Sequence, residues 1–434
     1  MKDTYLLKSE GARRLYLEGA RQLPIIDYHN HLSAADIRGD RRFADMTELW
    51  LMSDPYKHRL MRICGVEERY ITGDAEPRDK FRRFCQIFPL LAGNPVYDWA
   101  RMELADIFGV EELPTGENAD VLFDRLSEML ASPEFSHNGI LGRFGVEYQS
   151  PVAALTDDLS AFDGVSVAPS LRGDDLLSPS VELKTALAAR TGIAVVDDDS
   201  YVRAVSVMLD RFHGAGCRFA DHALDDGFFE SDTDGKRAAM LVRLAGEYAA
   251  RGWTLLLHMD AKRRRQSRIA SVAGPVGGYA AVGGDFSPSA LCDLLDRMDL
   301  EGGLPDTLLF PLNMSDQVAL SVLQGSFSRD GRASRVGLGA SWWWCDHAMG
   351  IRNTLSAVAS FGVLSQFVGM TTDSRSVTSF VRHDYFRRLL CSWLDEQNRM
   401  GDWELPFEVQ KDIVERICYG NALDKIKGNI TLDS

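Results

Sequence analysis

The stretch LPIIDYHNHL, residues 23–32, decides how the chain is expected to fold. A short apolar run ends there in polar residues, which is typical of a buried β-strand with functional side chains at its carboxyl end. His29 and His31 flank one residue, and alternate side chains of a strand point to the same side, so both imidazoles can face one metal ion. The H-x-H triplet alone is weak evidence, because a chain with nine histidines can contain it by chance.

Seven later segments repeat this pattern of an apolar run that breaks into polar residues. They are EYQSPVAALTDD (147–158), VSVAPSLRGDD (165–175), CRFADHALDD (217–226), WTLLLHMDAK (253–262), DTLLFPLNMSD (306–316), RVGLGASWWWCD (335–346) and QFVGMTTDSR (366–375). Between most of them lie stretches with apolar residues at helical spacing, such as KRAAMLVRLAGEYAARG (236–252). Because strands that alternate with helices pair in parallel, eight of them predict an α/β fold, a (β/α)8 TIM-type barrel with its active site at the carboxyl ends of the strands.

The competing fold for such an alternation is a doubly wound open sheet. That fold ordinarily carries a G-x-G-x-x-G turn after an early strand, and no such turn follows the early strands of this sequence. The barrel is therefore favoured.

The interval between the first two strand candidates is too long for a single loop. From Ser33 to about Val146 it carries helical signals (FADMTELWLM, DKFRRFCQIFPLLAG and VLFDRLSEML) separated by proline and glycine. The sequence therefore predicts a catalytic barrel built from residues 1–32 and 147–434, with a mostly helical insertion, residues 33–146, that covers the mouth of the barrel.

The charge balance of the chain argues against polyanionic partners. The 48 basic and 63 acidic side chains give a formal net charge of −15, so the overall field does not favour nucleic acid or an anionic membrane. No run approaches the roughly 18 apolar residues of a membrane span. The seven cysteines form no C-x-x-C pair, which suits a reducing compartment. We expect a soluble cytoplasmic protein with no nucleic-acid or membrane partner, and the sequence is compatible with a homo-oligomer.

Two further strand ends strengthen the prediction of a metal site. His258 ends the fifth strand candidate and Asp373 ends the eighth. In a closed barrel the ends of strands one, five and eight face a common axis. We expect His29, His31 and Asp373 to hold one divalent metal ion, with zinc as the expected ion, because zinc accepts imidazole and carboxylate ligands. Whether His258 ligates the metal or binds substrate is left open.

Longer strings of the sequence then identify a family. Together with the DYHNHL stretch and His258, the chain resembles the amidohydrolase superfamily and, within it, the uronate isomerase family. The strings that carry this resemblance are DPYKHRLMRICGV (54–66), PSLRGDD (169–175), GCRFADHALDD (216–226), SWWWCDH (341–347) and GMTTDSRSVTSFVRHDYFRRLLC (369–391). The last string is long and unusual, and it weighs most.

The resemblance implies aldose–ketose isomerisation of a hexuronate: D-glucuronate to D-fructuronate, D-galacturonate to D-tagaturonate, or both. A proton moves from C2 to C1 through a cis-enediol. Tyr56 matches the proton-transfer tyrosine of the family, and Asp373 matches a metal ligand that also helps to open the sugar ring. Because an ordinary phenol has a pKa of about 10, a nearby cation would have to stabilise the phenolate of Tyr56. Arg172 and Arg375 match active-site arginines, whose guanidinium groups suit carboxylate and hydroxyl oxygens.

The remaining expected substrate contacts are aromatic. Trp342 and Trp343 could form an apolar wall against the sugar or pack in the core, and His258 and His222 are expected to bind substrate. His222 and Asp221 end the fourth strand and could order the residues around the site.

The chain departs from the family pattern at three places beside these residues. They are Pro55, where a histidine is expected, Ala220 in ADHA, and Met259-Asp260, where Ile-Gly is expected.

Two alternatives to an isomerase stay open at this point. The same barrel and ligand set could serve a metal-dependent hydrolase or decarboxylase that acts on a small carboxylated substrate. A sugar-acid-binding protein without turnover is the other alternative, and the joint presence of metal ligands and a proton-transfer residue argues against it.

Overall fold

The computed structural model describes residues 1–263, 265–274, 277–284, 286–328, 331 and 333–427. Seven strands form one sheet, and two short strands form a separate antiparallel pair after β5. In chain order the strands are β1 (Ile25–Asn30), β2 (Val146–Ala154), β3 (Ser170–Arg172), β4 (Phe219–Leu224), β5 (Thr254–Met259), β6 (Ala261–Lys262), β7 (Ala281–Val282), β8 (Asp306–Pro311) and β9 (Val336–Leu338). The large sheet has the order β1-β2-β3-β4-β5-β8-β9, and all its neighbours pair in parallel.

Helices surround this parallel sheet, as the apolar runs require. They are α1 (Glu10–Leu15), α2 (Ala34–Arg38), α3 (Met46–Trp50), α4 (Pro55–Ile63), α5 (Pro77–Ile87), α6 (Pro95–Met102), α7 (Ala119–Met129), α8 (His137–Arg143), α9 (Val181–Thr191), α10 (Asp198–Gly214), α11 (Phe228–Ser231), α12 (Lys236–Ala250), α13 (Ser267–Ala273), α14 (Pro288–Glu301), α15 (Gln317–Ser326), α16 (Ala348–Phe361), α17 (Val381–Met400), α18 (Phe407–Glu415) and α19 (Asn421–Lys427). Every residue of β5 is buried, which a parallel strand covered on both faces explains. Among the described residues, none of these helices is long and apolar enough to cross a membrane.

The eighth predicted strand is an extended segment rather than a regular strand. Residues 366–375 nevertheless lie beside β1, where the His31 amide donates to the Ser374 carbonyl at 2.8 Å and the Asp373 amide donates to the His29 carbonyl at 3.1 Å. Gly369 and Asp373 have φ angles of 77° and 45°, which interrupt a β ladder. The prediction of a regular strand here was wrong because of this backbone conformation, but the segment takes the eighth position beside β1.

Side chains replace the missing ladder bonds between this segment and β1. The buried carboxylate of Asp27 accepts hydrogen bonds from the Thr371 hydroxyl at 2.9 Å, the Thr372 amide at 2.6 Å and the Thr372 hydroxyl at 2.7 Å. The side-chain amide of Asn30 donates to the same carboxylate at 2.8 Å. Asp27 therefore fixes the segment that carries Asp373 against the strand that carries the two histidines.

The chain between β1 and β2 is mostly helical and contains α2 to α8. Its apolar core includes the buried rings of Trp50, Phe81, Phe84 and Phe88. The helical content matches the sequence pattern, while the division into residues 33–146 and a barrel stays a prediction. Helix α4 brings Tyr56 to a cavity that strand-end residues such as His31 and Arg172 also line.

Candidate active site

The first strand and the eighth segment bring the predicted metal ligands together. The Nε2 atoms of His29 and His31 lie 3.5 and 3.0 Å from the same oxygen, Oδ1 of Asp373. One ligand atom from each of the three residues lies within 4.8 Å of the others. His29 and Asp373 are buried, and His31 is partly exposed toward the opening. The three side chains could therefore hold a metal ion.

The electrostatics of this group favour the protonation states that a metal needs at Asp373 and His31. At His29 burial acts to lower the pKa, but the carboxylates of Asp221 and Asp373 outweigh it and raise that pKa above its ordinary value. Burial acts to raise the pKa of the Asp373 carboxyl, but hydrogen bonds from His29 and His31 outweigh it and hold that pKa well below its ordinary value. Burial also lowers the pKa of His31 to about 4, against the opposing effect of Asp373. At neutral pH Asp373 is ionised and His31 is neutral, as metal ligands must be.

A second group of buried side chains adjoins the first. Nδ1 of His258 lies 2.6 Å from Oδ1 of Asp221, and Nη1 of Arg172 lies 3.0 Å from Oδ2 of the same carboxylate. The His258 ring centroid is 4.9 Å from that of His29, and its Nε2 has no hydrogen-bond partner among the described residues. Burial raises the pKa of Asp221, but the charges of Arg172 and His258 outweigh this and hold it well below its ordinary value. Asp221 thus orients His258 and Arg172 toward the site.

His222 is the one predicted site residue that the structure does not bring to this cluster. Its Nε2 lies 2.9 Å from the hydroxyl of Tyr248 on α12, and the residue is fully buried between sheet and helix. Successive side chains of a strand point to opposite faces, so the inward position of Asp221 sends His222 outward. We therefore leave His222 out of the proposed substrate contacts.

Six of the predicted residues line one cavity at the carboxyl ends of the strands: His31, Tyr56, Arg172, Trp343, Asp373 and Arg375. Its walls are formed by His31, Pro55, Tyr56, Arg172, Arg263, Gly278, Tyr279, Ala280, Trp343, Trp344, Asp373, Ser374 and Arg375. A smaller cavity shares several of these walls and reaches down to His29, Asp221, His258 and Trp342. Tyr56, both arginines and the three metal-ligand candidates therefore meet in adjoining spaces.

Tyr56 reaches the cavity because α4 begins beside it. The Asp54 carboxylate caps this helix and accepts from the amides of Tyr56 at 2.9 Å and Lys57 at 3.1 Å. The Tyr56 hydroxyl is buried and has no hydrogen-bond partner among the described residues. Burial raises the pKa of this phenol above its ordinary value, and the charge of Arg382 offsets only part of the rise. The neutral phenol is therefore the resting form.

The tryptophans of the string SWWWCDH have three different surroundings. Trp342 is buried and packs edge-on against His258, with ring centroids 4.7 Å apart. Trp343 faces both cavities, with the Arg263 guanidinium carbon 4.9 Å from its ring centroid. Trp344 was not among the residues predicted from the sequence. It lines the larger cavity and packs edge-on against Tyr56, with ring centroids 5.5 Å apart. Its position in the same string was the signal that could have found it.

The three departures from the family pattern have simple local explanations. Pro55 is the first residue of α4, where its fixed φ suits a helix start. Ala220 is fully buried in β4. Asp260 adopts a φ of 69° after β5, and its buried carboxylate accepts from the Asn313 amide at 3.1 Å.

Fold and site together define a class of protein. A parallel barrel whose first strand presents an H-x-H pair to an aspartate at the eighth position is the arrangement of the amidohydrolase superfamily. The chain belongs to the glucuronate isomerase family, because the family model described as glucuronate isomerase matches residues 1–239 and 230–425.

Relatives of the whole chain carry the same description. A uronate isomerase of Caldanaerobacter subterraneus is 34% identical over 461 residues, which cover 97% of this chain and 98% of the relative. A uronate isomerase of Salmonella arizonae is 36% identical over 465 residues, with coverage of 97% and 98%.

Solved structures support the architecture. The uronate isomerase of Thermotoga maritima aligns with a TM-score of 0.90 and 26% identity over 98% of this chain and 99% of that one. The glucuronate isomerase of Caulobacter crescentus, at 23% identity and a TM-score of 0.88, covers 98% and 97% and supports the fold alone. The predicted family, the α/β barrel and the assignment as an aldose–ketose isomerase are confirmed. A hydrolase or decarboxylase is not favoured.

Proposed function

We propose that the enzyme converts D-glucuronate to D-fructuronate, D-galacturonate to D-tagaturonate, or both, by proton transfer from C2 to C1 through a cis-enediol. One observation carries this proposal: Tyr56, Arg172, Asp373 and Arg375 line a single cavity. A proton carrier, a carboxylate and two guanidinium groups are the groups that this reaction requires.

The two arginines have different tasks in this proposal. Arg172 already binds Asp174 at 2.7 Å and Asp221 at 3.0 Å, so most of its guanidinium group is committed to protein carboxylates. Arg375 is exposed at the cavity, and it is the better clamp for the C6 carboxylate of the sugar acid. Arg172 holds Asp221 in place and turns its remaining N–H groups toward the sugar hydroxyls.

Asp373 and Tyr56 divide the proton transfers between them. Because the pKa of Asp373 is held well below its ordinary value, its carboxylate is ionised and can accept the hydroxyl proton that leaves when the sugar ring opens. Tyr56 then carries the proton between C2 and C1 on the open chain. Trp343 and Trp344 shield this transfer from bulk water.

The donor set also supports a bound metal. His29, His31 and Asp373 would hold one divalent ion, and we expect zinc, because zinc accepts imidazole nitrogen and carboxylate oxygen. When bound, the ion supplies Lewis-acid polarisation of a substrate oxygen.

We also propose a cytoplasmic location. All seven cysteines are described and none forms a disulfide, which suits a reducing compartment. A homo-oligomer stays a prediction of the sequence.

The test is a proton NMR assay of the enzyme with D-glucuronate and with D-galacturonate in heavy water. We expect a ketose product with one new hydrogen at C1, and the faster of the two substrates identifies the preferred uronate. A hydrolysis or decarboxylation product, or the absence of any ketose from both sugars, would contradict the proposal.

A further inference from the structure

Helix α17 contributes one arginine to each of two Tyr–Asp–Arg trios. In the closed trio of Tyr16, Asp384 and Arg388, every pair is hydrogen-bonded. The Tyr16 hydroxyl donates to Asp384 at 2.6 Å, Nε of Arg388 donates to Asp384 at 2.7 Å, and Nη2 of Arg388 donates to the Tyr16 oxygen at 3.0 Å. This trio lies outside the cavity walls and satisfies its own polar atoms.

The open trio of Tyr56, Asp346 and Arg382 has the same residue types but leaves polar atoms free. Nη1 of Arg382 donates to Oδ2 of Asp346 at 2.6 Å, and the Arg382 guanidinium carbon lies 5.5 Å from the Tyr56 ring centroid. Asp346 and Arg382 are each only 2% exposed. Among the described residues, the Tyr56 hydroxyl, Nε of Arg382 and Oδ1 of Asp346 have no hydrogen-bond partner.

A fourth buried atom of the same kind lies beside the open trio. The indole N–H of Trp99 has no partner among the described residues, and its ring packs edge-on against Tyr56 at 5.4 Å and under Arg382 at 5.1 Å. Buried polar atoms in folded proteins almost always have a partner. Two N–H donors, one carboxylate oxygen and one hydroxyl, all buried and belonging to residues in this contact group, are the kinds of partner that an ordered water requires.

We propose that Asp346, held by Arg382, is a positioning residue for Tyr56 and takes up the phenolic proton through one bridging water while Tyr56 carries the substrate proton. The proposal deepens the function above and rests on the role given there to Tyr56. Asp346 is not among the residues that line the two cavities, so it does not compete for the sugar.

The proton count balances in both halves of the reaction. As the phenol oxygen accepts the proton from C2, its own proton passes through the water to Asp346, and the electron pair of the broken C–H bond forms the C1–C2 double bond. The hydroxyl proton at C2 moves to the oxygen at C1. In the second half the phenol donates its proton to C1, forming the new C–H bond, and recovers a proton from Asp346. After both steps, Tyr56 and Asp346 have returned to their initial protonation states.

The charges around Asp346 suit this exchange. Burial raises the pKa of Asp346 to about 6, the charge of Arg382 acts to lower it, and Asp373 acts to raise it. The carboxylate is therefore ionised at neutral pH yet can hold a proton briefly. Because burial disfavours a free phenolate at Tyr56, a simultaneous transfer of both protons avoids that charge.

The first experiment is a double-mutant cycle on kcat and KM for D-glucuronate. We expect Asp346→Asn to lower kcat by about 10- to 100-fold while KM changes less than about threefold. In the Tyr56→Phe background the same substitution should change the residual kcat by less than about twofold, because the two residues act as a unit. Asp384→Asn in the closed trio is the matched control, with kcat of the folded enzyme unchanged.

Three outcomes decide between this proposal and the one on which it rests. Full kcat in Asp346→Asn, or an equal loss of kcat in both backgrounds, would overturn the role of Asp346. Full kcat in Tyr56→Phe would instead overturn the role given to Tyr56 in the proposed function.

A second measurement does not depend on residual activity. A high-resolution crystal structure of the wild-type enzyme should contain a water within hydrogen-bond distance of both the Tyr56 hydroxyl and Oδ1 of Asp346. The absence of such a water would contradict the proposed proton transfer between Tyr56 and Asp346.

Discussion

The closed trio and the open trio show how one set of residue types serves two purposes. Tyr16, Asp384 and Arg388 satisfy one another and join the turn that follows α1 to α17, so their hydrogen bonds contribute to stability. The open trio differs in two respects: its phenol lines the cavity, and three of its polar atoms have no partner among the described residues. Burial of an unsatisfied polar atom costs stability, so its presence beside a cavity points to function.

A similar contrast separates two carboxylates at the seam between β1 and the eighth segment. Asp27 accepts hydrogen bonds from Asn30, Thr371 and Thr372, contacts His383 at 3.2 Å and serves structure, whereas Asp373 faces two imidazoles at the cavity. The comparison therefore predicts loss of chemistry at Asp373 and loss of stability at Asp27.

The largest expected effect is at Asp373. We expect Asp373→Asn to lower kcat by at least about 1,000-fold, because it removes both a metal ligand and a base. Circular dichroism should report a folded protein. Asp27→Asn is the matched variant, and we expect its free energy of unfolding in urea to fall by about 1–3 kcal/mol. Near-normal kcat in Asp373→Asn would remove this residue from the mechanism.

A smaller effect than that at Asp373 is expected at Arg375. The Arg375→Lys variant separates substrate binding from proton transfer, because it should change KM rather than kcat. Arg375→Lys keeps the charge but loses the planar pair of donors, so KM for the uronate should rise about tenfold with kcat changed less than about threefold. Arg388→Lys in the closed trio should leave KM unchanged in steady-state assays. A loss confined to kcat would contradict the clamp assigned to Arg375.

The smallest effect is expected at His222, which lies next to the inward-facing Asp221. We expect His222→Asn to change kcat and KM by less than about twofold in the folded enzyme, because its ring faces α12. His258→Asn, the variant of the inward histidine, should lower kcat/KM by about 10- to 100-fold. A comparable loss of kcat/KM in both variants would show that the alternation of β4 does not separate their roles.

Much of the site could be predicted from the sequence, because its residues lie at strand ends. The strand period placed His29 and His31 together, and the order of apolar runs placed His258 and Asp373 on the same rim. The inward or outward direction of His222 could not be predicted, since a shift of one residue in a strand reverses every side chain.

The open trio and the break in the eighth strand could not be predicted from the pattern of apolar residues. Asp346 and Arg382 are 36 positions apart and meet only because α17 packs behind the cavity, which no local pattern encodes. The break in the eighth strand depends on the positive φ of Asp373, a residue that is not glycine and whose conformation tertiary hydrogen bonds impose.

The most direct measurement is the rate at which the enzyme transfers deuterium from C2 of D-glucuronate labelled at that position to C1 of D-fructuronate, followed by NMR. This transfer reports proton movement between the two carbons. We expect Tyr16→Phe to transfer the label at the wild-type rate and Tyr56→Phe to transfer it at least about 100-fold more slowly. Transfer by Tyr56→Phe at the wild-type rate would contradict the account.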